Sequence, residues 1–158
     1  MDLLIFGYGS LMNSKSLAKT SRIARIVGRV ELEHYQRKAN AMSEAYPEVA
    51  MNIVPRPGKS ITGVLIEFPL ADLSALQRRE TGYEMVDVSA YVAPSQANTV
   101  HTFVAPDQST YDGKMIHQEY LDVCLGGVPE EDREQWLAET IIECQITDLP
   151  RQEYYKHA

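Results

Sequence analysis

Val49-Ala50-Met51-Asn52-Ile53-Val54 and Ile61-Thr62-Gly63-Val64-Leu65-Ile66-Glu67-Phe68 lie on either side of Pro55-Arg56-Pro57-Gly58. Both runs are rich in aliphatic and β-branched residues, and the segment between them is a strong turn signal. They read as two strands joined without a helix. The same reading extends in both directions. Upstream, residues 3–6 (Leu-Leu-Ile-Phe) form a short buried strand, stopped by Gly7-Tyr8-Gly9-Ser10. Residues 25–32 alternate, with Ile26, Gly28, Val30 and Leu32 sharing a face. Downstream, Val86, Val88, Ala90 and Val92 share one side of residues 86–93. Residues 100–105 resume after Pro94-Ser95-Gln96-Ala97-Asn98, so the two runs read as a hairpin.

Helical patterns are fewer. Residues 14–19 follow Asn13, a good cap, and residues 70–79 sit between Pro69 and Gly82. Residues 115–125 carry Ile116, Tyr120 and Val123 on one face and end at Gly126-Gly127. Residues 129–145 open with Pro129, Glu130, Glu131 and Asp132, which suit a helix N-terminus. Their apolar stripe is Trp136, Leu137, Ile141 and Cys144. Strands that come first, mostly without helical crossovers, predict an α+β fold. The expected sheet is mixed, largely antiparallel and barrel-like, with peripheral helices.

The chain has 158 residues, 44% hydrophobic and 23% charged, so a single domain over residues 1–158 is expected. A chain of this size buries roughly 70% of its unfolded surface, enough for a real core. Fifteen Lys and Arg stand against 22 Asp and Glu, a net charge of −7. Basic residues are scattered, and the densest group, Arg22, Arg25 and Arg29, has no interleaved aromatics. A nucleic-acid partner is therefore not expected. No apolar run approaches the ~20 residues of a membrane span, so no membrane partner is expected. The N-terminal stretch has no basic region and is too short in its apolar part for a secretory signal. Two cysteines, Cys124 and Cys144, without a Cys-x-x-Cys pair, point to a reducing cytoplasm.

Several chemistries fail on spacing. His34, His101, His117 and His157 show no metal-ligand pattern and have no cysteine pair beside them, so no metal is expected. Ser10 follows a strand and a glycine, but Gly7-Tyr8-Gly9-Ser10-Leu11 is not the nucleophile-elbow motif. Gly7-x-Gly9 lacks the third glycine of a dinucleotide loop, where Met12 stands. Cys124 lies on an apolar stripe without a basic neighbour and reads as an inert thiol.

Two segments remain. At Gly7-Tyr8-Gly9-Ser10-Leu11 a strand runs into glycines and then a helix start. The amides of Gly9, Ser10 and Leu11 either form a donor nest for a carboxylate or oxyanion, or simply make a tight turn. The second segment is Gln77-Arg78-Arg79-Glu80-Thr81-Gly82-Tyr83. Glu80 continues the stripe of Leu73 and Leu76, with Arg78 and Arg79 pointing elsewhere. Desolvation and a place in the last helical turn would both raise its pKa, the state of a general acid/base. The alternative is an exposed terminal Glu paired with an arginine.

Together these segments resemble the γ-glutamylcyclotransferase family, including its AIG2-like and BtrG-like branches. The resemblance rests on Tyr8-Gly9-Ser10-Leu11 directly after the first strand and on Glu80-Thr81-Gly82-Tyr83 at a helix end. It also rests on Asn52-Ile53-Val54-Pro55, Gly63-Val64-Leu65, Phe68-Pro69, and Tyr120 before Gly126-Gly127. It runs through most of residues 3–127, and the C-terminal part matches weakly. The resemblance implies a small barrel-based α+β fold and a γ-glutamyl pocket at the Tyr8–Leu11 loop. It implies Glu80 as the general acid/base, moving a proton from the substrate's α-amino group to the departing amine as a lactam closes. It implies 5-oxoproline as product and no cofactor. Tyr8, Tyr83 and Tyr120 either line the pocket and orient Glu80 or are core aromatics with satisfied hydroxyls. The leaving amine would be read by residues 41–47 and 105–114, which carry no decisive motif, and oligomeric state is open. A noncatalytic binding or interaction module of the same fold is the rival reading; a carboxyl on an apolar stripe favours the enzyme.

Overall fold

The structure is a computed structural model and describes residues 2–151, so His157 lies outside the described residues. Strand β1 (Asp2–Gly7) is central, with Ile5 and Phe6 fully buried. It leads through a 3-10 turn (Ser10–Met12) into α1 (Ser14–Ala18). Asn13 caps α1 as expected, its side chain accepting from the amides of Lys15 and Ser16. Two long strands follow, β2 (Arg25–Ser43) and β3 (Tyr46–Pro69), antiparallel along their length. After β3 come a 3-10 turn, α2 (Leu73–Arg79), β4 (Glu84–Asp87), β5 (Val92–Ala93) and β6 (Val100–Val104). The chain ends through β7 (Met115–His117), α3 (Gln118–Gly126), α4 (Arg133–Ala138), β8 (Thr140–Ile141) and β9 (Gln145–Thr147).

The α+β class is as expected, and the sheet is mixed. Its path is β4-β6-β1-β3-β2-β5. The long β1–β3 and β2–β3 ladders are antiparallel, while β1 also pairs β6 in parallel. The sheet is not closed, so it is not a complete barrel. The β2–β3 pairing shifts register between Ile26 and Gly28, between Glu33 and Tyr35, and between Lys38 and Ala41, irregularities of the kind that bend and twist a ribbon locally.

Four local expectations are corrected. Pro55-Arg56-Pro57-Gly58 does not separate two strands. It is an exposed bulge inside β3, where register jumps from Glu33↔Ser60 to Tyr35↔Pro55 and His34 takes a left-handed φ of 66°. The expected strand over 86–93 breaks at a 3-10 turn (Ser89–Tyr91). β4 pairs β6, as in the expected hairpin, but β5 leaves to pair β2. Residues 115–117 are strand, held by β9, so Ile116 is not on the helix that carries Tyr120, and Val123 is exposed. The helix expected over 129–145 ends at Ala138, because Thr140 and Ile141 pair with Arg37 and Lys38 of β2. Trp136 is buried there, but Leu137 is exposed.

Candidate active site

The end of β1, the tip of α2, strands β3 and β6 and helix α3 converge on one pocket. Its lining includes Tyr8, Gly9, Ser10, Leu11, Glu80, Tyr83 and Tyr120, seven residues spread over most of the sequence. Phe6, Gly7, Met51, Thr102 and Phe103 complete it.

The loop presents donors. Met12 donates its amide to Gly9 O and Asn13 to Ser10 O. Among the described residues, the amides of Gly9, Ser10 and Leu11 meet no protein acceptor. Three consecutive amides without partners beside a pocket suit an anion or a polarised carbonyl. Gly9 is needed for space: a Cβ there would lie 3.1 Å from the Met51 Cβ and 3.4 Å from the Tyr120 hydroxyl.

Glu80 closes α2 as its C-cap residue. Leu76, one turn earlier, is fully buried, and the same stripe carries the Glu80 side chain inward until it is 13% exposed. Gly82, at φ 91°, then turns the chain back. Tyr83 donates its amide to Glu80 O at 3.0 Å and its hydroxyl to Met51 O at 2.6 Å. Tyr120 accepts the Met51 amide at 2.9 Å, so the two tyrosines hold Met51 by its N–H and its C=O. Tyr8 donates to Phe103 O. All three tyrosines therefore line the pocket and also have partnered hydroxyls, which makes them a rigid frame. Burial raises each phenol far above its ordinary value, so all three stay protonated.

Burial pushes the Glu80 carboxyl up from 4.5 to about 7, and Arg79 pulls it partly back. Desolvation alone accounts for the rise. The folded chain thus holds this proton more tightly than the unfolded chain. Stability falls as pH rises from 4.5 to about 7, then stays level. At about 1.4 kcal/mol per pH unit, the loss is up to about 3 kcal/mol. Glu80→Gln removes it. That variant should melt higher than the parent at pH 8 and equally at pH 4.5; equal melting at pH 8 would place Glu80 in solvent.

Sequence reasoning missed two arginines. Arg79 does not point away: its Nε lies 3.8 Å from Glu80 Oε1, and its Nη2 donates to Ser10 Oγ at 3.0 Å. A long side chain can turn back along its helix, which a helical projection does not show. Arg37, in β2, is fully buried. It donates from Nε to Tyr8 O at 2.7 Å and from Nη2 to Thr62 O at 2.6 Å. Nη1 donates to Thr140 Oγ1 at 3.1 Å, and the guanidinium stacks 4.5 Å over the Trp136 ring. Burial lowers its pKa only to about 10, so it stays charged.

Beside the pocket, Gly82, Tyr83, Glu84, Val104, Ala105 and Pro106 line a second hollow that shares Tyr83 with it. Its loop is fixed by two fully buried asparagines. Asn52 donates to Ala105 O and accepts the Ala105 amide, each at 2.9 Å, while Asn40 donates to Asp107 Oδ1 and Gln108 O. Lys114 Nζ reaches Ser43 O and Tyr46 O, tying residues 105–114 to residues 41–47. Cys124 is buried and unpaired, with burial pushing its thiol up to about 12, as an inert thiol requires. Among the described residues no three His, Cys, Asp or Glu side chains cluster as metal ligands, and no helix is long and apolar enough to cross a membrane.

An open α+β sheet thus carries a buried carboxyl and a loop of unpartnered amides on one pocket. The family model for gamma-glutamyl cyclotransferase, AIG2-like, matches residues 5–122. The chain belongs to that family. A solved structure described as a gamma-glutamyl cyclotransferase superposes with a TM-score of 0.72 at 16% identity, covering 100% of both chains. An uncharacterized Homo sapiens protein, loc79017, gives 0.70 at 18% identity over 98% of each chain. YkqA from Bacillus subtilis gives 0.67 at 21% identity, covering 87% of this chain and 53% of that one. These likenesses establish the shared fold. Comparison with curated proteins finds no match.

Proposed function

We propose that the chain is a γ-glutamylcyclotransferase that releases 5-oxoproline from a γ-glutamyl amine or peptide. One observation carries the reading: the buried Glu80 carboxyl and the three unpartnered amides of Gly9, Ser10 and Leu11 line the same pocket. The amides receive the substrate's α-carboxylate or the developing oxyanion. Glu80, ionised, takes a proton from the α-ammonium group. The freed amine attacks the γ-carbonyl carbon, a C–N bond forms, and a five-membered lactam begins to close. Glu80 passes that proton to the nitrogen of the departing amine as the old γ-carbonyl C–N bond breaks, and the ring nitrogen gives up its second proton to the freed carboxylate, which releases it to the amine product or solvent. A carboxyl whose pKa is about 7 serves both directions of transfer near neutral pH. Ring closure is intramolecular, so holding the substrate folded does much of the work. The steps are proton transfers and acyl transfer and call for no metal or organic cofactor. Buried, unpaired Cys124 and Cys144 fit work in a reducing cytoplasm.

The test is a panel of γ-glutamyl amino acids, peptides and amines, with products read by mass spectrometry. The expected result is 5-oxoproline and free amine in equal amounts from at least one member. A folded chain that binds a panel member and leaves it intact would mean a binding module instead.

Gly9→Val tests the donor loop. Its methyls would press on the Met51 side chain and the Tyr120 hydroxyl. Affinity for the best γ-glutamyl compound should fall about tenfold or more, the scale of one lost hydrogen bond to a charged group. A folded variant binding as tightly as the parent would remove the loop from the site.

A further inference from the structure

Arg79 makes contacts beyond those the proposed reaction uses. Its Nη1 donates to Ser16 O at 2.8 Å and to Thr20 Oγ1 at 3.0 Å. Its Nη2 donates to Ser16 Oγ at 2.7 Å and to Ser10 Oγ at 3.0 Å. The terminal guanidinium nitrogens thus hold α1 and the donor loop, while the Nε edge faces Glu80 at 3.8 Å. One side chain thereby joins the tip of α2 to the turn after β1.

The contact with Ser10 fixes more than position. A serine hydroxyl has one hydrogen to donate and two lone pairs. Guanidinium can only donate, so Ser10 Oγ is the acceptor in this bond. The hydroxyl hydrogen of Ser10 has no acceptor among the described residues, and Ser10 lines the pocket. It is left to point at whatever occupies the site, next to the Gly9, Ser10 and Leu11 amides.

Around the Glu80 carboxyl, Arg79 is the near charged neighbour; the phenols Tyr8, Tyr83 and Tyr120 share its pocket, with the Cys124 thiol against Tyr83 and Tyr120, itself raised by burial to about 12, and the Arg37 guanidinium against Tyr8. Raised by burial, these phenols are neutral across the working range. Arg79 is therefore the positive charge that opposes desolvation at Glu80.

We propose that Arg79 is a positioning residue of the γ-glutamyl site, presenting the Ser10 hydroxyl to the pocket as a donor and standing as the fixed cation beside Glu80. This rests on the reading of Glu80 as the general acid/base. Arg79→Lys and Arg79→Gln separate the two parts. Lysine keeps the charge but loses the planar fork; glutamine loses both.

The first measurement is an NMR titration of the side-chain carboxyl carbon of Glu80 in each folded protein, without substrate. In Arg79→Gln the midpoint should rise by about one pH unit, the lower end of the effect of an opposite charge at this range. In Arg79→Lys it should stay near the parental value. The second measurement is turnover of the best γ-glutamyl compound. Both variants should raise KM severalfold, and only Arg79→Gln should move the pH–rate midpoint. A parental Glu80 midpoint in folded Arg79→Gln would overturn the proposal.

If Arg79→Gln does not fold, Arg79→Lys and Ser10→Ala are combined. Their effects on binding of the same γ-glutamyl compound should overlap, since each removes the same presentation; additive effects would overturn the proposal. A parent that makes no 5-oxoproline would fail the functional reading, whereas the titration reads the Arg79–Glu80 pair without any turnover.

Discussion

Glu80→Gln should leave a folded chain that binds a γ-glutamyl compound and turns it over about 100-fold more slowly or worse. That is the usual scale of a lost general acid/base. Glutamine keeps the size of the side chain but cannot accept the α-ammonium proton. The pocket does not depend on the carboxyl for its shape, because Tyr83 and Tyr120 are anchored on Met51 and Tyr8 on Phe103. In the parent, the rate should rise with pH through about 7 as Glu80 ionises. That limb should vanish in the residual activity of the variant. Single-turnover rates across pH, with a thermal melt on the same preparation, check both. A folded Glu80→Gln protein working at the parental rate would remove Glu80 from the chemistry.

Arg37→Ala should be the most destabilising single change at the site. It strips partners from the carbonyls of Tyr8 and Thr62 and empties the space over Trp136. Glu139 Oε1, 3.8 Å from the guanidinium, is left without its cation. Breaking a buried ionic cluster from one side costs about 3–5 kcal/mol. For a chain of this size that lowers Tm by roughly 6–20 °C. Arg37→Met, which keeps the apolar stem, should recover only part of the loss, because the carbonyls stay unpaired. A melt of Arg37→Ala within about 2 °C of the parent would show that the guanidinium carries little of the fold.

The residues legible in the sequence are those whose local pattern already implied their environment. Tyr8-Gly9-Ser10-Leu11 follows a strand with an obvious apolar run, and the pocket forms at that turn. Glu80 extends the stripe of Leu73 and Leu76 at helical spacing, so its burial could be read from the pattern. Arg37 was invisible because it lies beyond the alternating run read over residues 25–32, in the part of β2 that no pattern marked. Its burial depends on Trp136 and Thr140, which lie about a hundred positions away in sequence. The same limit shortened α4. Periodicity alone extends the helix to 145, whereas pairing of Thr140 and Ile141 with β2 ends it. Pro55-Arg56-Pro57-Gly58 misled for the opposite reason. Its turn chemistry is real, but His34 on the partner strand adapts its backbone to let the ribbon continue. That the sheet stays open between β4 and β5 is likewise a property of the whole path, and no local pattern in either strand encodes it.

The most direct measurement runs the parent chain on its best γ-glutamyl compound in ¹⁸O-water and follows where the solvent oxygen goes. Attack by the substrate's own α-amine draws no oxygen from water. Unlabelled 5-oxoproline and one equivalent of free amine are the expected products. Glutamate carrying one solvent oxygen in its γ-carboxylate would mean that water, not the α-amine, attacks the γ-carbonyl, and would contradict this mechanism.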